Sequence, residues 1–277
     1  MESTRDLRRH IKSVSSTQQI TRAMKLVATA KLQKADARFK GYLSYYKGME
    51  ELLNLVIQDG RYLDLDLFKQ GQGKPCYLVI SSDLGLAGGY NANLLRHVVD
   101  TAKPDACFII IGQKGRDFLR FRRKEILAQY VQIGDFPDYE QAKDMGRLVI
   151  EFFKEGIIGS LTVVYMHSRT LLSQEIKVRP LLPISPTIDG SDPDGVLYEP
   201  SAEFILERVI PDYVQSQIYG ALLDARVAEF ASRMTAMDAA TDNAQELIDE
   251  LELSLNRARQ QMITTELIEI VSGAEAL

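Results

Sequence analysis

The sequence is poor in cysteine and histidine, which bind transition metals and, for cysteine, form disulfide bonds. Its 277 residues include two cysteines and three histidines. The cysteines, Cys76 and Cys107, stand in apolar, strand-like runs and form no Cys-x-x-Cys pair. The histidines, which are scattered and have neither Glu-x-x-His spacing nor a nearby cysteine, are His10, His97 and His167. We therefore expect two buried thiols and no metal site.

Long apolar runs are also absent. No stretch approaches the ~20 apolar residues that cross a bilayer, and the polar first twelve residues lack the apolar core of a signal peptide. We expect a cytosolic chain that reaches a membrane only through a partner. The composition, with 45% hydrophobic and 26% charged residues, is that of an ordinary globular protein.

Charge is distributed unevenly along the chain, although the net charge is only −5. Residues 1–40 carry ten basic and three acidic side chains, whereas residues 203–277 carry fourteen acidic side chains and five arginines. The two ends are therefore complementary. The basic face is interleaved with apolar positions, has few aromatic residues and belongs to an acidic chain, so a protein partner is favoured over nucleic acid.

Both ends have the residue spacing of a coiled coil. From Leu7 to Val56, fifteen mostly apolar or small residues recur every three or four positions with a period of 3.5, and no proline interrupts them. Similar spacing recurs from Met234 to Met262, and no proline follows Pro211. This period predicts two long, supercoiled helices, the second starting at about residue 212. We expect them to pair in antiparallel fashion, because the middle of the chain must fit between them.

The middle of the chain alternates apolar runs with amphipathic segments, which predicts an α/β domain with a largely parallel sheet. The expected strands are Cys76–Ser81, Ala106–Ile111, Ile126–Val131 and Leu161–Tyr165, with Gln174–Leu182 as an edge strand, and the expected helices are Asn91–Asp100, Gln113–Phe121 and Tyr139–Lys154. The resulting division is an N-terminal coiled-coil helix (1–58), a central Rossmann-like domain (75–182), a linker rich in proline and glycine (183–202) and a C-terminal coiled-coil helix (203–277).

A glycine-rich loop is the strongest local pattern for chemistry. Residues 83–91, which we call the glycine loop, read DLGLAGGYN and lie between a predicted strand and a predicted helix, where phosphate often binds. They contain neither Gly-Lys-Ser/Thr nor G-x-G-x-x-G. We expect a tight turn with Asn91 capping the next helix. A nucleotide-binding α/β enzyme with coiled-coil oligomerisation arms is the alternative function, and a static coiled-coil scaffold is a third.

Three separated blocks of the sequence resemble the gamma subunits of bacterial F-type ATP synthases. They are SSTQQITRAMKLVA (15–28), GLAGGYNAN (85–93) and ASRMTAMDAATDNA (231–244), the last followed by NRARQ (256–260) and EIVSGA (269–274). The resemblance implies a central rotor shaft without catalytic residues, metal or cofactor of its own. Such a shaft couples ion flow through the membrane sector to ATP synthesis and hydrolysis in a ring of alpha and beta subunits, and regulates the ATPase.

The resemblance also implies partners and contact residues. The partners are the alpha and beta subunits, the epsilon subunit and the membrane rotor ring, without nucleic acid or direct membrane insertion, at the cytoplasmic face of the inner membrane. The residues that match positions facing the beta subunits are Arg22, Met24, Lys25, Arg233, Gln260 and Thr264. The chain departs from the family pattern at Leu84, where arginine is usual, and at Thr265, where glutamine is usual.

Overall fold

Long terminal helices enclose an α/β segment in the chain order. The structure, a computed structural model, describes residues 3–57, 66–170, 173–185, 199 and 202–275. Its elements are α1 (Thr4–Ile57), a 3-10 turn (Asp66–Phe68), β1 (Lys74–Ile80), α2 (Tyr90–Thr101), β2 (Cys107–Ile111), α3 (Gln113–Phe121), β3 (Glu125–Tyr130), α4 (Tyr139–Lys154), β4 (Ile158–Ser168), β5 (Gln174–Leu182) and α5 (Ala202–Glu275).

The strands form one sheet in the order β3-β2-β1-β4-β5. Neighbouring strands run parallel from β3 to β4, and β5 is an antiparallel edge strand, as the sequence predicts. Alternate residues of the central strands face two different cores. Leu78 and Ile109 pack with α4 and α5, while Val79 and Ile110 pack mainly with α2 and α3. Because helices cover both faces, the central strands are almost wholly apolar.

Both cysteines are buried free thiols, as expected. Cys76 on β1 and Cys107 on β2 are partners in the parallel register, and they are 1% and 0% exposed. They belong to the packing of the sheet.

The chain divides into two compact units, residues 1–28 with 234–277, and residues 29–233. Helices α1 and α5 contribute to both units. The predicted four-part division stays a prediction, and residues 186–198 and 200–201 of its linker lie outside the described residues.

Antiparallel pairing of α1 with α5 is confirmed within each unit. In the first unit, the Thr21 and Thr241 hydroxyls are 2.8 Å apart and Lys25 pairs with Asp238. The second unit repeats the pattern, because Lys31 lies over the ring of Phe230 whereas the Tyr42 hydroxyl donates to the Ser216 carbonyl. The buried residues of α1 include Leu7, Ala28, Leu32, Ala35, Met49, Leu53 and Val56, all positions of the predicted 3.5-residue period.

Helix α5 begins ten residues earlier than the proline pattern suggests, and Pro211 lies inside it. Proline lacks an N–H and normally breaks a helix, since it leaves the carbonyl four residues earlier without a helical partner. Leu206 and Ile210 in this first segment are 0% and 3% exposed. Their burial in the core offsets the lost hydrogen bond and keeps the helix continuous.

Two glycines have opposite surroundings. A Cβ atom on Gly159 in β4 would lie 2.4 Å from the Gly73 carbonyl oxygen, so backbone passes too close for any side chain. A Cβ atom on Gly48 in α1 would meet no described atom within 4 Å.

We predict opposite stability effects for alanine at these two positions. Gly159→Ala should destabilise the chain by about 1–3 kcal/mol, because the backbone must shift to admit the methyl group. Gly48→Ala should stabilise it by about 0.5–1 kcal/mol, because glycine is unfavourable inside a helix. Urea unfolding of the purified chain measures both free energies, and equal effects would contradict the prediction.

Candidate functional site

The side chains of Ser81 and Ser82, which precede the glycine loop, form structural hydrogen bonds. The Ser81 hydroxyl donates to the Ile111 carbonyl at 2.8 Å and accepts from the Gly115 N–H at 3.0 Å. Ser82 exchanges hydrogen bonds with the side chain of Asn91. Both serines are buried, and their contacts join the end of β1 to α2 and α3. Neither hydroxyl is presented as a nucleophile.

The side chain of Asp83, at the start of the glycine loop, binds the N-terminus of α3. Its carboxylate accepts from the backbone N–H of Gln113 at 2.9 Å and from that of Gln132 at 3.1 Å. Gln113 is the first residue of α3, and helix N-termini attract anions. The chain's own carboxylate therefore satisfies this N-terminus, which disfavours a bound anion at the start of α3.

The predicted cap of α2 by Asn91 is wrong. The N-cap residue is Gly89, and it forms no side-chain capping bond. Because the helix begins at Tyr90, Asn91 already lies in its first turn, and its amide reaches back to Ser82 instead.

A buried ionic cluster on α5 holds the glycine loop. The carboxylate of Glu229 pairs with Arg226, one turn earlier, and with Arg233, one turn later, the latter at 2.9 Å. The three side chains are 10% exposed or less. Arg233 also donates to the backbone carbonyls of Leu84 and Gly85 at 3.2–3.3 Å. We call this arrangement of three side chains and two carbonyls the clasp.

The pKa of Arg226 reflects its surroundings in the clasp. Burial disfavours the Arg226 cation, but attraction to Glu229 and Asp83 outweighs it and raises the pKa of Arg226. Asp83 lies 3.9 Å from the guanidinium. Nearby, the Tyr90 hydroxyl donates to the Ala225 carbonyl at 3.2 Å, a second link between α2 and α5. The spacing i, i+3 and i+7 places the three charged residues of α5 on one helical face.

A second polar contact joins α5 to the sheet on β4. The Asp224 carboxylate lies 2.7 Å from Nδ1 of His167. Burial raises the pKa of Asp224, and the hydrogen bond from His167 opposes that shift. The contact orients α5 against β4.

The residues predicted to face partners do not form one site. In the first unit, Arg22 is exposed, Met24 and Lys25 are half-buried in the helix pair, and Gln260 and Thr264 are exposed. In the second unit, Arg233 is buried in the clasp. Their roles in partner contact stay predictions, and for Arg233 such contact would require the clasp to open.

Asp83, Arg226 and Glu229 were not predicted as members of a site. Charged residues spaced at i, i+3 and i+7 among alanines of the predicted C-terminal coiled-coil helix were the available signal. The loop carbonyls that complete the clasp have no signature in side-chain chemistry.

The first unit has exposed apolar surface on both of its helices. On α1 the residues are Ile20, Leu26 and Val27, with 54–66% exposure, and near the end of α5 they are Met262, Ile263, Leu267, Ile268, Ile270 and Val271, with 44–67% exposure. We call the second set the apolar end of α5. Clustered exposed apolar residues are typical of surfaces that a partner covers.

No group of His, Cys, Asp and Glu within the described residues has the arrangement of a metal site. No described helix is long and apolar enough to cross a membrane.

Comparison with known sequences gives matches over the full length. A family model described as ATP synthase matches residues 3–277. The ATP synthase gamma chain of Halothermothrix orenii is 41% identical over 286 residues and that of Moorella thermoacetica 42% identical over 282 residues, with 100% of both chains covered in each case. The gamma chain of Alkaliphilus metalliredigens is 39% identical, with 98% of both chains covered.

Comparison with solved structures supports the fold. The central stalk and c-ring structure of Tetrahymena thermophila mitochondrial ATP synthase contains a chain with a TM-score of 0.63 and 24% identity, covering 80% of this chain and 99% of that one. A chain of the Euglena gracilis mitochondrial ATP synthase rotor has a TM-score of 0.68 and 17% identity, covering 94% and 98%. The expected combination of terminal helices and parallel sheet is thus found in both.

We predict that the clasp depends on the charge of Glu229. Glu229→Gln should destabilise the chain by about 3–5 kcal/mol, because it leaves two buried arginines without their carboxylate. Glu246→Gln removes an exposed charge from the same helix and should change stability by less than about 0.5 kcal/mol. Urea unfolding measures both, and a small effect at Glu229 would show that the buried arginines do not depend on its charge.

Proposed function

The chain belongs to the ATP synthase gamma chain family, and from this premise we propose that it is the central rotor shaft of an F-type ATP synthase. The observation that carries the proposal is the antiparallel helix pair of the first unit, whose outer faces expose apolar residues. A shaft must be stiff, and two paired helices resist bending better than one. It also needs a surface that partner subunits can contact. The helix pair of the first unit has both properties.

The proposed partners follow from the chemistry of these faces. An exposed basic and apolar face on α1, with Arg22, Leu26 and Val27, suits an acidic loop of a beta subunit. The apolar end of α5 suits an apolar collar formed by the alpha and beta subunits together. The epsilon subunit and the membrane rotor ring complete the proposed set, at the cytoplasmic face of the inner membrane.

The proposed mechanism rests on unequal contact with equivalent subunits. In the first unit α1 is basic and α5 is acidic, so the two sides of the pair differ in charge. Three equivalent beta subunits around such a pair meet different surfaces at any one moment. A ligand-free shaft shifts the conformation of a subunit only through this difference in contact free energy. Rotation then moves each conformation around the ring, without catalytic groups on the shaft.

In this proposal, the clasp and the contact between His167 and Asp224 transmit torque. They hold α5 against the glycine loop and β4 through hydrogen-bonded charges. Directional contacts resist sliding of the helix against the sheet. The alternative of a nucleotide-binding enzyme is disfavoured, because the family model and the full-length relatives are those of ATP synthase gamma chains.

The rotor proposal predicts that tethering the helix pair to the ring stops turnover. Ala23 is small and exposed on α1, and Ala23→Cys can be cross-linked to a cysteine placed in the acidic loop of a beta subunit. In the reconstituted complex, oxidation should lower ATP hydrolysis roughly tenfold or more, because the shaft cannot turn, and reduction should restore it.

A cross-link within the shaft is the matched control. Thr21 and Thr241 have hydroxyls 2.8 Å apart across the helix pair, so Thr21→Cys with Thr241→Cys allows a disulfide inside one rigid body. Oxidation of this variant should leave hydrolysis within about twofold of its reduced rate. Full turnover in the complex tethered through Ala23→Cys would contradict rotation. Equal loss in both complexes would point to damage by oxidation.

A further inference from the structure

A cluster of cations lies at the edge of the sheet where the parallel strands begin. Its members, which we call the basic edge, are Lys74, Arg122, Arg123 and Lys124. Three of the four belong to the short segment that leads from α3 into β3. The whole chain has a net charge of −5, so this local concentration of positive charge is opposite in sign to the charge of the chain.

The basic edge surrounds a cleft of about 320 Å³. The residues lining the cleft are Lys74, Pro104, Asp105, Ala106, Arg122, Arg123, Lys124 and Glu125. Glu125 is paired with Lys74 at 2.6 Å, which leaves Asp105 as the other carboxylate of the lining. Within the described part of the chain, Arg122, Arg123 and Lys124 form no ion pair with a carboxylate. The cleft is therefore suited to an anion.

An aromatic side chain projects from the same segment. Phe121, the last residue of α3, is 84% exposed, more than any other large apolar side chain of the described residues. It stands between Arg120 and Arg122 in the sequence. An exposed apolar ring that is close in sequence to long cationic side chains suits the boundary between lipid headgroups and acyl chains, because the ring is apolar and the cations reach the headgroups.

The backbone of this segment adopts an unfavourable conformation at one of the cations. Arg123 has a φ of 53°, in the left-handed region, and the Lys124 N–H donates to the Leu119 carbonyl at 3.0 Å. This is the helix ending in which glycine is the usual residue. A large cationic side chain thus occupies a position where glycine would avoid the backbone strain.

We propose that the basic edge and Phe121 bind the phosphate headgroups of anionic phospholipids. The cations attract the headgroup phosphates, the cleft accommodates one of them, and the ring of Phe121 lies among the upper acyl carbons. This is direct contact with the membrane surface, which differs from the expectation that the chain reaches a membrane only through a partner. This membrane contact is separate from the rotor function. It is measured by vesicle binding of the isolated full chain, so its outcome does not depend on rotation in the complex.

Vesicle sedimentation tests the charge requirement. The full chain should bind vesicles containing 30% phosphatidylglycerol in phosphatidylcholine and not vesicles of phosphatidylcholine alone, and salt should weaken binding. Each cation near an anionic surface strengthens binding roughly fivefold, so the triple variant Arg122→Gln, Arg123→Gln, Lys124→Gln should bind roughly a hundredfold more weakly. The matched control is Arg5→Gln, Arg8→Gln, Lys12→Gln, which removes equal charge from α1. Equal loss in the two variants would overturn the proposal.

Arg123→Gly separates binding from folding. Glycine relieves the left-handed conformation, so the melting temperature should hold or rise, while vesicle affinity should fall roughly fivefold. Unchanged affinity would remove Arg123 from the site.

Fluorescence tests the position of Phe121. The chain contains no tryptophan, so Phe121→Trp introduces a single reporter, and Leu84→Trp places one at the opposite edge of the sheet, where Leu84 is 65% exposed. On anionic vesicles only the Phe121→Trp emission should shift to the blue and be quenched by brominated lipid.

Two results would assign the edge to another ligand and overturn the proposal. Displacement from vesicles by millimolar inorganic phosphate, but not by chloride at equal ionic strength, would indicate a soluble phosphate site. A blue-shifted Phe121→Trp spectrum in the soluble ATPase part of the complex, prepared without lipid or detergent, would indicate an acidic protein partner.

Discussion

The position of α5 against the sheet depends on the clasp. Arg233 binds two backbone carbonyls of the glycine loop, and Glu229 holds Arg233 and Arg226 together. Buried ion pairs add little net stability, but breaking one leaves an uncompensated charge. The clasp therefore selects one register of α5 on the loop more than it strengthens the fold. An apolar contact in its place would permit the helix to slide by a residue at small cost.

This constraint explains the arrangement of the other polar groups at the same edge. Asp83 is directed to the N-terminus of α3, and Ser82 with Asn91 closes the start of α2. The loop is thus held by contacts with α2 and α3, independently of its contact with α5. A loop fixed in this way presents its carbonyls to Arg233 in one geometry, which a rotor needs if force is to pass from a helix to a sheet.

Local and periodic features of the fold were predictable from the sequence. The 3.5-residue period identified the buried positions of α1, and alternating patterns placed every strand of the sheet within a few residues. The failures involve tertiary partners. Pro211 lies inside a helix because its neighbours are buried in the core, and Arg233 turns inward because loop carbonyls receive it. Neither partner can be read from the residues around it.

The apolar end of α5 also bears on how the chain is made. Before its partners arrive, six large apolar side chains stand in water on one helix end, and two newly made copies can adhere through them. Copies of the chain that are made in excess of its partners would therefore be prone to self-association or proteolysis.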